Sequence, residues 1–468
     1  MGLISDMLER YAKSGAERFH MPGHKGKGEG FLASVYPYDV TELSFSDNLA
    51  DPEGVILQAE EDLARIVGAK RSRILTGGST LGVLVSVYAA YSFFKGGRKK
   101  LVVPKSSHKS VYNAMRILGL EPVFIPEKIV GGLAQIELEK LPELCDNGII
   151  GVLLTSPDYF GRVTDLAFCS SAVKKCGGFL ITDGAHGAHL PFTDERLYAG
   201  RFSDIWVDGA HKTLPTLTQG ALLNIGDERL TEYVEDGLSI FSSSSPSYLI
   251  SASVEDGYKK FASVSSEKLG ECKKAVSLFT KLLDSRLSVV KNDDYLKITV
   301  DLKNENLGAI VGKKLEEKNV YAELACGRFV LFMASVDFDE AAARNLAYKL
   351  NAAFAEADEE VGNHCREGED KAKTTCAFSA DEEDYPVCER KIPFVKARTS
   401  DFERVDLKDA VGRISAAEVG LFPPCFPLVV AGETFDNGVI ARLLRGNTFG
   451  VKDGKVKVVK DGSDCKVN

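Results

Sequence analysis

DIWVDGAHKTLPTLTQGALLNIG, residues 204–226, is the stretch on which the reading of this chain turns. Two short apolar runs, IWV and ALLNI, flank a polar turn that sets His211 and Lys212 side by side. Runs of Val, Ile and Leu without polar alternation form strands buried on both faces, and such strands build a largely parallel sheet covered by helices. A lysine at the end of such a strand is poorly placed if buried, because an unpaired ammonium in a dry interior is costly. As a solvated surface group it needs no explanation. As a desolvated amine it becomes a nucleophile toward carbonyls, a Schiff-base lysine.

Working outward, the same pattern fills residues 55–225. RILTGG runs into the helix-like STLGVLVSVYAAYSFF, LVVP into SSHKSVYNAMRILG, and IIGVLLTSP and GFLITDG into loops. Ligands of open α/β sheets bind at the carboxyl ends of strands. Four such ends carry suggestive groups. Gly78, Ser79 and Thr80 open an apolar helix, where backbone N–H groups and hydroxyls suit a phosphate; a plain helix cap is the simpler use. His108, in SSHKS, can stack on a planar ligand or sit in a surface turn. Asp183, closing GFLITD, needs a cationic or N–H partner, which a helix cap also supplies. Lys212 is the fourth. A phosphate cradle, a flat-ring stacker, an acid for a ring nitrogen and a Schiff-base lysine are together the parts that hold pyridoxal 5'-phosphate. The combination turns the reading of Lys212 from surface group to cofactor lysine.

Composition sets the bounds. The 468 residues suggest about three domains. With 44% hydrophobic and 27% charged residues the chain has an ordinary globular balance. A net charge of −9 argues against nucleic acid as the main partner. Ten cysteines without a CxxC pair argue against a zinc site or a disulfide framework, so reduced thiols of a cytoplasmic protein are expected. The start, MGLISDMLERYAKSG, has no apolar signal-peptide core, and no uncharged apolar stretch is long enough to span a membrane.

The expected division is an N-terminal segment at 1–40 with the Gly-rich FHMPGHKGKGEG, a cofactor-binding major domain at 41–245, and a small α+β domain at 246–356. The acidic, aperiodic 357–391 reads as a linker or mobile loop, and 392–468 as a C-terminal domain with the Pro-rich turn FPPCFP. A long helical region is expected over 255–285.

MPGHKGKG, TELSFSDNLADPEGVI, the GGST cradle, SSHKSVYNA, SPDYFGRVTDL, DGAHGAHL, DGAHKTLPTLTQGALL and FPPCFPLVVAGE together resemble the ornithine/lysine/arginine decarboxylases in their short bacterial form. The match runs over residues 18–226 and 411–433. The resemblance implies a fold-type I, aspartate aminotransferase-like major domain with a mainly parallel sheet, and decarboxylation of a basic amino acid to a polyamine-pathway amine. It implies a homodimer with shared active sites, the segment around His24 contributing. Short members look similar to biosynthetic arginine decarboxylases, which places arginine first and lysine next.

By the same resemblance His108 stacks on the cofactor ring, Asp183 pairs with its nitrogen, Ala185 lies under it and His186 meets its hydroxyl. Ser79 and His211 contact the phosphate, Lys212 holds the cofactor, and Lys212 or His189 returns the proton. Gly184 stands where many members have an acidic residue, Gly209 where many have a serine, and Cys425 where a glycine is usual. The receiver-like N-terminal domain of the large inducible members has no counterpart, so their ring-shaped assembly is not implied. Glu42, Asp47, Asp158, Glu323 and Glu433 are candidates for the substrate's distal cation. An aminotransferase or lyase, which would use an arginine such as Arg328 for a second carboxylate, and an inactive cofactor-binding paralogue are the competing readings.

Overall fold

The computed structural model describes residues 2–367, 382–384, 388–421 and 426–460. It divides into two compact units. The first takes in Met1–Lys99, Cys145–Asp158 and Val163–Ser265; the second takes in Lys100–Leu144, Tyr159–Arg162 and Ser266–Asn468.

Five strands form the sheet of the first unit: β1 (Arg71–Leu75), β2 (Ile149–Thr155), β3 (Phe179–Gly184), β4 (Ile205–Asp208) and β5 (Ala221–Ile225). Their order is β1-β5-β4-β3-β2. β2, β3 and β4 run parallel, with Thr155 opposite Asp183 and Gly184 opposite Asp208, while β5 is antiparallel to both β4 and β1. Every residue of β3, β4 and β5 is buried, as their unbroken apolar composition requires. Helix α1 (Gly78–Phe93) is apolar around its whole circumference because it is buried in this unit, and Gly82 is the point of closest approach. A Cβ there would stand 1.9 Å from Cγ2 of Val207 on β4. Helix α2 (Tyr248–Ala262) also belongs to this unit.

In the second unit a four-stranded antiparallel sheet, Lys297–Asp301 and Phe329–Met333 at its centre, packs with helices 266–282, 308–317 and 340–367 around Phe279, Val300, Val330 and Phe354. The helical region expected over 255–285 is two helices, Tyr248–Ala262 and Ser266–Leu282. Helix Glu340–Glu367 runs well into the stretch read as a linker. Ala353, Phe354 and Ala357 return every three or four residues to the same apolar core, which carries the helix past the expected boundary. The C-terminal part has its own core of Leu407, Val419, Leu428, Phe435, Val439 and Val456. Strand Lys100–Pro104 pairs in parallel with Glu121–Ile125.

Among the described residues five cysteines carry free thiols. Cys326 is disulfide-bonded, departing from the expectation of thiols throughout. Cys376, Cys425 and Cys465 lie outside the described residues, as do residues 422–425 of the Pro-rich turn. No described helix is long and apolar enough to cross a membrane.

The contact at Gly82 gives a stability test. Gly82→Ala should lower the unfolding free energy by about 1–3 kcal/mol through overpacking, and adding Val207→Ala should recover part of the loss. Urea unfolding of the two variants measures both.

Candidate functional site

The loop after β4 folds back on the start of α1. Gly78 donates its amide to the Gln219 carbonyl at 2.8 Å, and His211 Nδ1 lies 2.9 Å from the Gly220 carbonyl. The cradle and the lysine loop are thereby one assembly. The N-cap position of α1 is Gly77, which has no side chain to cap with, and no capping bond from Ser79 or Thr80 is made among the described residues. The first turn keeps N–H groups available to an anion. His211 spends its Nδ1 proton on the carbonyl, so its Nε2 donates to a phosphate only as imidazolium.

The end of β3 meets this assembly from the other side. Lys212 Nζ lies 3.1 Å from His186 Nε2. Asp183, 4% exposed, accepts the Ala185 amide through Oδ1 at 3.1 Å. Its Oδ2 receives no donor among the described residues. Ala185 and His186 are buried, and His189 is fully buried. Gly78, Ser79, Thr80, Asp183, Ala185, His186, His211 and Lys212 thus come from one unit. His108 belongs to the second unit, where it caps helix Lys109–Leu118, with Nδ1 2.8 Å from Ser110 Oγ.

Sequence reasoning missed Asp208, although it opens the polar turn that carries the lysine. It is fully buried. Its Oδ2 accepts hydrogen bonds from Tyr198 Oη at 2.6 Å, Asn224 Nδ2 at 3.0 Å and Tyr258 Oη at 3.3 Å. Its Oδ1 is buried with no donor among the described residues. Burial pushes the Asp208 carboxyl up to about 7 even though these donors favour the charged form. Close packing around the ends of β3 and β4 accounts for the two glycines, Gly184 and Gly209, that stand where the resemblance leads one to expect an acid and a serine. A Cβ on Gly184 would stand 2.9 Å from the Val207 carbonyl and 3.1 Å from Asp208 Oδ1, and one on Gly209 would stand 2.4 Å from the Ala185 carbonyl. An acid at 184 and a serine at 209 do not fit beside Asp208 and Ala185.

Most carboxylates considered for a substrate cation have other employment. Asp47 is partly buried, yet the amides of Glu53, Asn48, Gly54 and Ile56 hold its carboxyl below the usual range. Glu323 is exposed and accepts from Tyr159 Oη at 2.8 Å. Glu433 is buried against Lys105 at 2.8 Å. Glu42 differs: Thr41 Oγ1 donates to its Oε2 at 2.5 Å, and its Oε1 is buried with no donor among the described residues. Arg328 grips Asp301 through two nitrogens at 2.8 and 2.7 Å, so it is not held out for a substrate carboxylate.

The family model described as Orn/Lys/Arg decarboxylase, major domain, matches residues 4–300, and that of the C-terminal domain matches residues 375–449. An uncharacterized protein, YaaO, of Bacillus subtilis is 28% identical, over 94% of this chain and 92% of its own length. An arginine decarboxylase of Bacillus subtilis is 26% identical over 95% of this chain and 93% of its own. The constitutive lysine decarboxylase of Escherichia coli is 28% identical over 53% of this chain and 39% of its own. Among solved structures, the Francisella novicida lysine decarboxylase superposes with a TM-score of 0.79 at 18% identity, covering 98% of this chain and 81% of that one.

The raised Asp208 carboxyl gives a signed pH dependence. The unfolded carboxyl titrates near 3.9 and the folded one near 7, so the folded state binds the extra proton between them. Stability drawn from Asp208 is complete below about pH 4 and is lost as pH rises through about 7. The unfolding free energy of the wild type minus that of Asp208→Asn should therefore fall across this window, by at most about 1.4 kcal/mol per pH unit, and then level off. A flat difference across pH 4–8 would show that Asp208 does not titrate there.

Proposed function

We propose, from the premise that the chain belongs to the Orn/Lys/Arg decarboxylase family, that it releases CO₂ from a basic amino acid, arginine first and lysine next. It is a pyridoxal-phosphate-dependent decarboxylase in family and fold. The observation that carries the residue-level reading is the convergence of an uncapped helix start, a buried Asp183 and Lys212 within one unit.

The residues present fit the cofactor. The first turn of α1 with Ser79 and His211 would hold its phosphate, the open oxygen of Asp183 would face its ring nitrogen and Lys212 its aldehyde, with Ala185 and His186 contributing to the ring site. Bound there, pyridoxal phosphate supplies an electron sink for the pair released as CO₂ leaves. Asp183, facing the ring nitrogen, would hold a proton on that nitrogen where charge develops. Lys212 is the proton donor we favour over His189, because His189 is fully buried. Its ammonium returns a proton to the substrate carbon, with His186 at 3.1 Å as a neighbour through which the amine is oriented.

Glu42 is our choice for the distal cation. A guanidinium satisfies a carboxylate through two nitrogens, which favours arginine over lysine at such a group. The relative named arginine decarboxylase also aligns over nearly all of both chains. We further propose a cytoplasmic homodimer acting in polyamine synthesis. Phe19 and Phe31, at 89% and 96% exposure in the segment around His24, are apolar side chains that a second copy could cover.

Asp183→Asn keeps the shape and removes the charge, so the visible absorbance of bound cofactor should persist while turnover falls by about 10³-fold or more. Near-normal turnover would exclude this role. For the substrate, CO₂ release from arginine, lysine and ornithine by the cofactor-loaded protein should be greatest with arginine. Glu42→Gln should raise the arginine KM by about 10–100-fold through loss of a charged hydrogen bond, with cofactor affinity unchanged. Release from none of the three, with transamination of a neutral amino acid, would overturn the reading.

A further inference from the structure

The turn that carries Glu42 is built around one buried hydroxyl. Ser46, fully buried, accepts the Leu43 amide through Oγ at 2.7 Å and donates to the Thr41 carbonyl at 2.8 Å. It thus fastens the backbone on both sides of residue 42. The Ser46 amide closes the turn on the Leu43 carbonyl at 3.0 Å. Thr41 acts on the side chain itself, its Oγ1 donating to Glu42 Oε2 at 2.5 Å. The far end of the turn is fixed as well. Tyr248, buried at the start of α2, donates to the Asp47 carbonyl at 2.6 Å. Asp47 Oδ2 accepts the amides of Gly54 at 2.7 Å and Ile56 at 2.9 Å, where helix Val55–Val67 begins. All of these groups belong to the first unit.

A glutamate on an ordinary turn samples several rotamers, and a cation that binds it must bear the cost of ordering the side chain. At Glu42 the backbone is held on both sides and one carboxylate oxygen is held by Thr41. A carboxylate offers about four lone-pair positions. The Thr41 hydroxyl takes one and restrains the plane of the group. Oε1, buried with no donor among the described residues, keeps both of its own. A planar guanidinium meets a carboxylate well only when the two planes agree, whereas an ammonium is a point charge that accepts many directions. Fixing the plane therefore favours the guanidinium.

We propose that Ser46 and Thr41 are positioning residues that set the substrate preference of Glu42: by fixing its carboxylate before binding, they favour a planar cation with two parallel N–H donors over a point ammonium. This rests on the reading that Glu42 receives the substrate's distal cation. It makes the buried hydroxyl of Ser46, which touches no substrate, a determinant of specificity.

The test uses Ser46→Ala and Thr41→Val in the full chain, each alone and together with Glu42→Gln. On cofactor-free protein, exchange of the Leu43 amide should speed up by about tenfold or more in Ser46→Ala, because its acceptor is gone. With pyridoxal phosphate bound, the visible absorbance should match the wild type in both variants. The arginine KM should rise by about 5–30-fold with kcat changed by less than about twofold, and the lysine KM by less than about threefold. In the Glu42→Gln background neither substitution should raise the arginine KM by more than about twofold, because the carboxylate they position is gone. Equal losses for arginine and lysine, or full additivity with Glu42→Gln, would overturn the proposal. If Ser46→Ala does not fold, Thr41→Val decides, since it removes the hydroxyl and keeps the volume: a raised arginine KM with lysine spared supports the proposal, and a wild-type arginine KM overturns it. Glu42→Gln alone separates the two readings. A wild-type arginine KM in that variant removes Glu42 from the substrate site and this proposal with it. A raised KM there, with wild-type values in Ser46→Ala and Thr41→Val, removes this proposal and leaves Glu42 in place.

Discussion

Close approach between two strand ends governs what the first unit offers to a ligand. The Ala185 carbonyl lies where any side chain at 209 would begin, and the Val207 carbonyl and Asp208 Oδ1 crowd position 184. Glycine at both places lets β3 and β4 end close together, and that proximity puts Lys212 within reach of His186. Asp208 holds the arrangement from beneath, joining Tyr198, Asn224 and Tyr258 on three separate segments. The antiparallel β5, between β4 and β1, then returns the chain so that Gln219 and Gly220 meet the start of α1 and His211. The phosphate end and the lysine end of the site are consequences of one packing constraint.

The strands of this unit were legible because each is an unbroken apolar run, and burial on both faces leaves that mark directly on composition. Lys212, Asp183 and the Gly78–Thr80 turn were legible for a related reason: a polar group at the end of such a run has few structural uses. The helix start looked like an ordinary cap from the sequence, and only the backbone geometry shows that its hydroxyls are not spent on capping.

What stayed hidden depends on contacts between residues far apart in the chain. Glu433 reads as a free acid until Lys105, more than three hundred positions earlier, is brought to it. Asp47 likewise shows nothing in the sequence of the amides that surround it. Asp208 was overlooked because the lysine four residues later drew the attention, and a buried carboxylate has no sequence signature apart from its donors. The continuation of helix Glu340–Glu367 was obscured by acidic residues on its outer face, although its alanines keep the inner spacing.

If the start of α1 holds the cofactor's phosphate as proposed, the life of the folded chain is tied to the supply of that cofactor. A ligand that binds only the folded state adds RT ln(1 + [L]/Kd) to its stability, about 2.7 kcal/mol at a hundredfold excess over Kd. Newly made chains would therefore differ in lifetime with cellular pyridoxal phosphate, since proteases act on the unfolded fraction. The amount of enzyme would track the vitamin before any regulator of its synthesis responded.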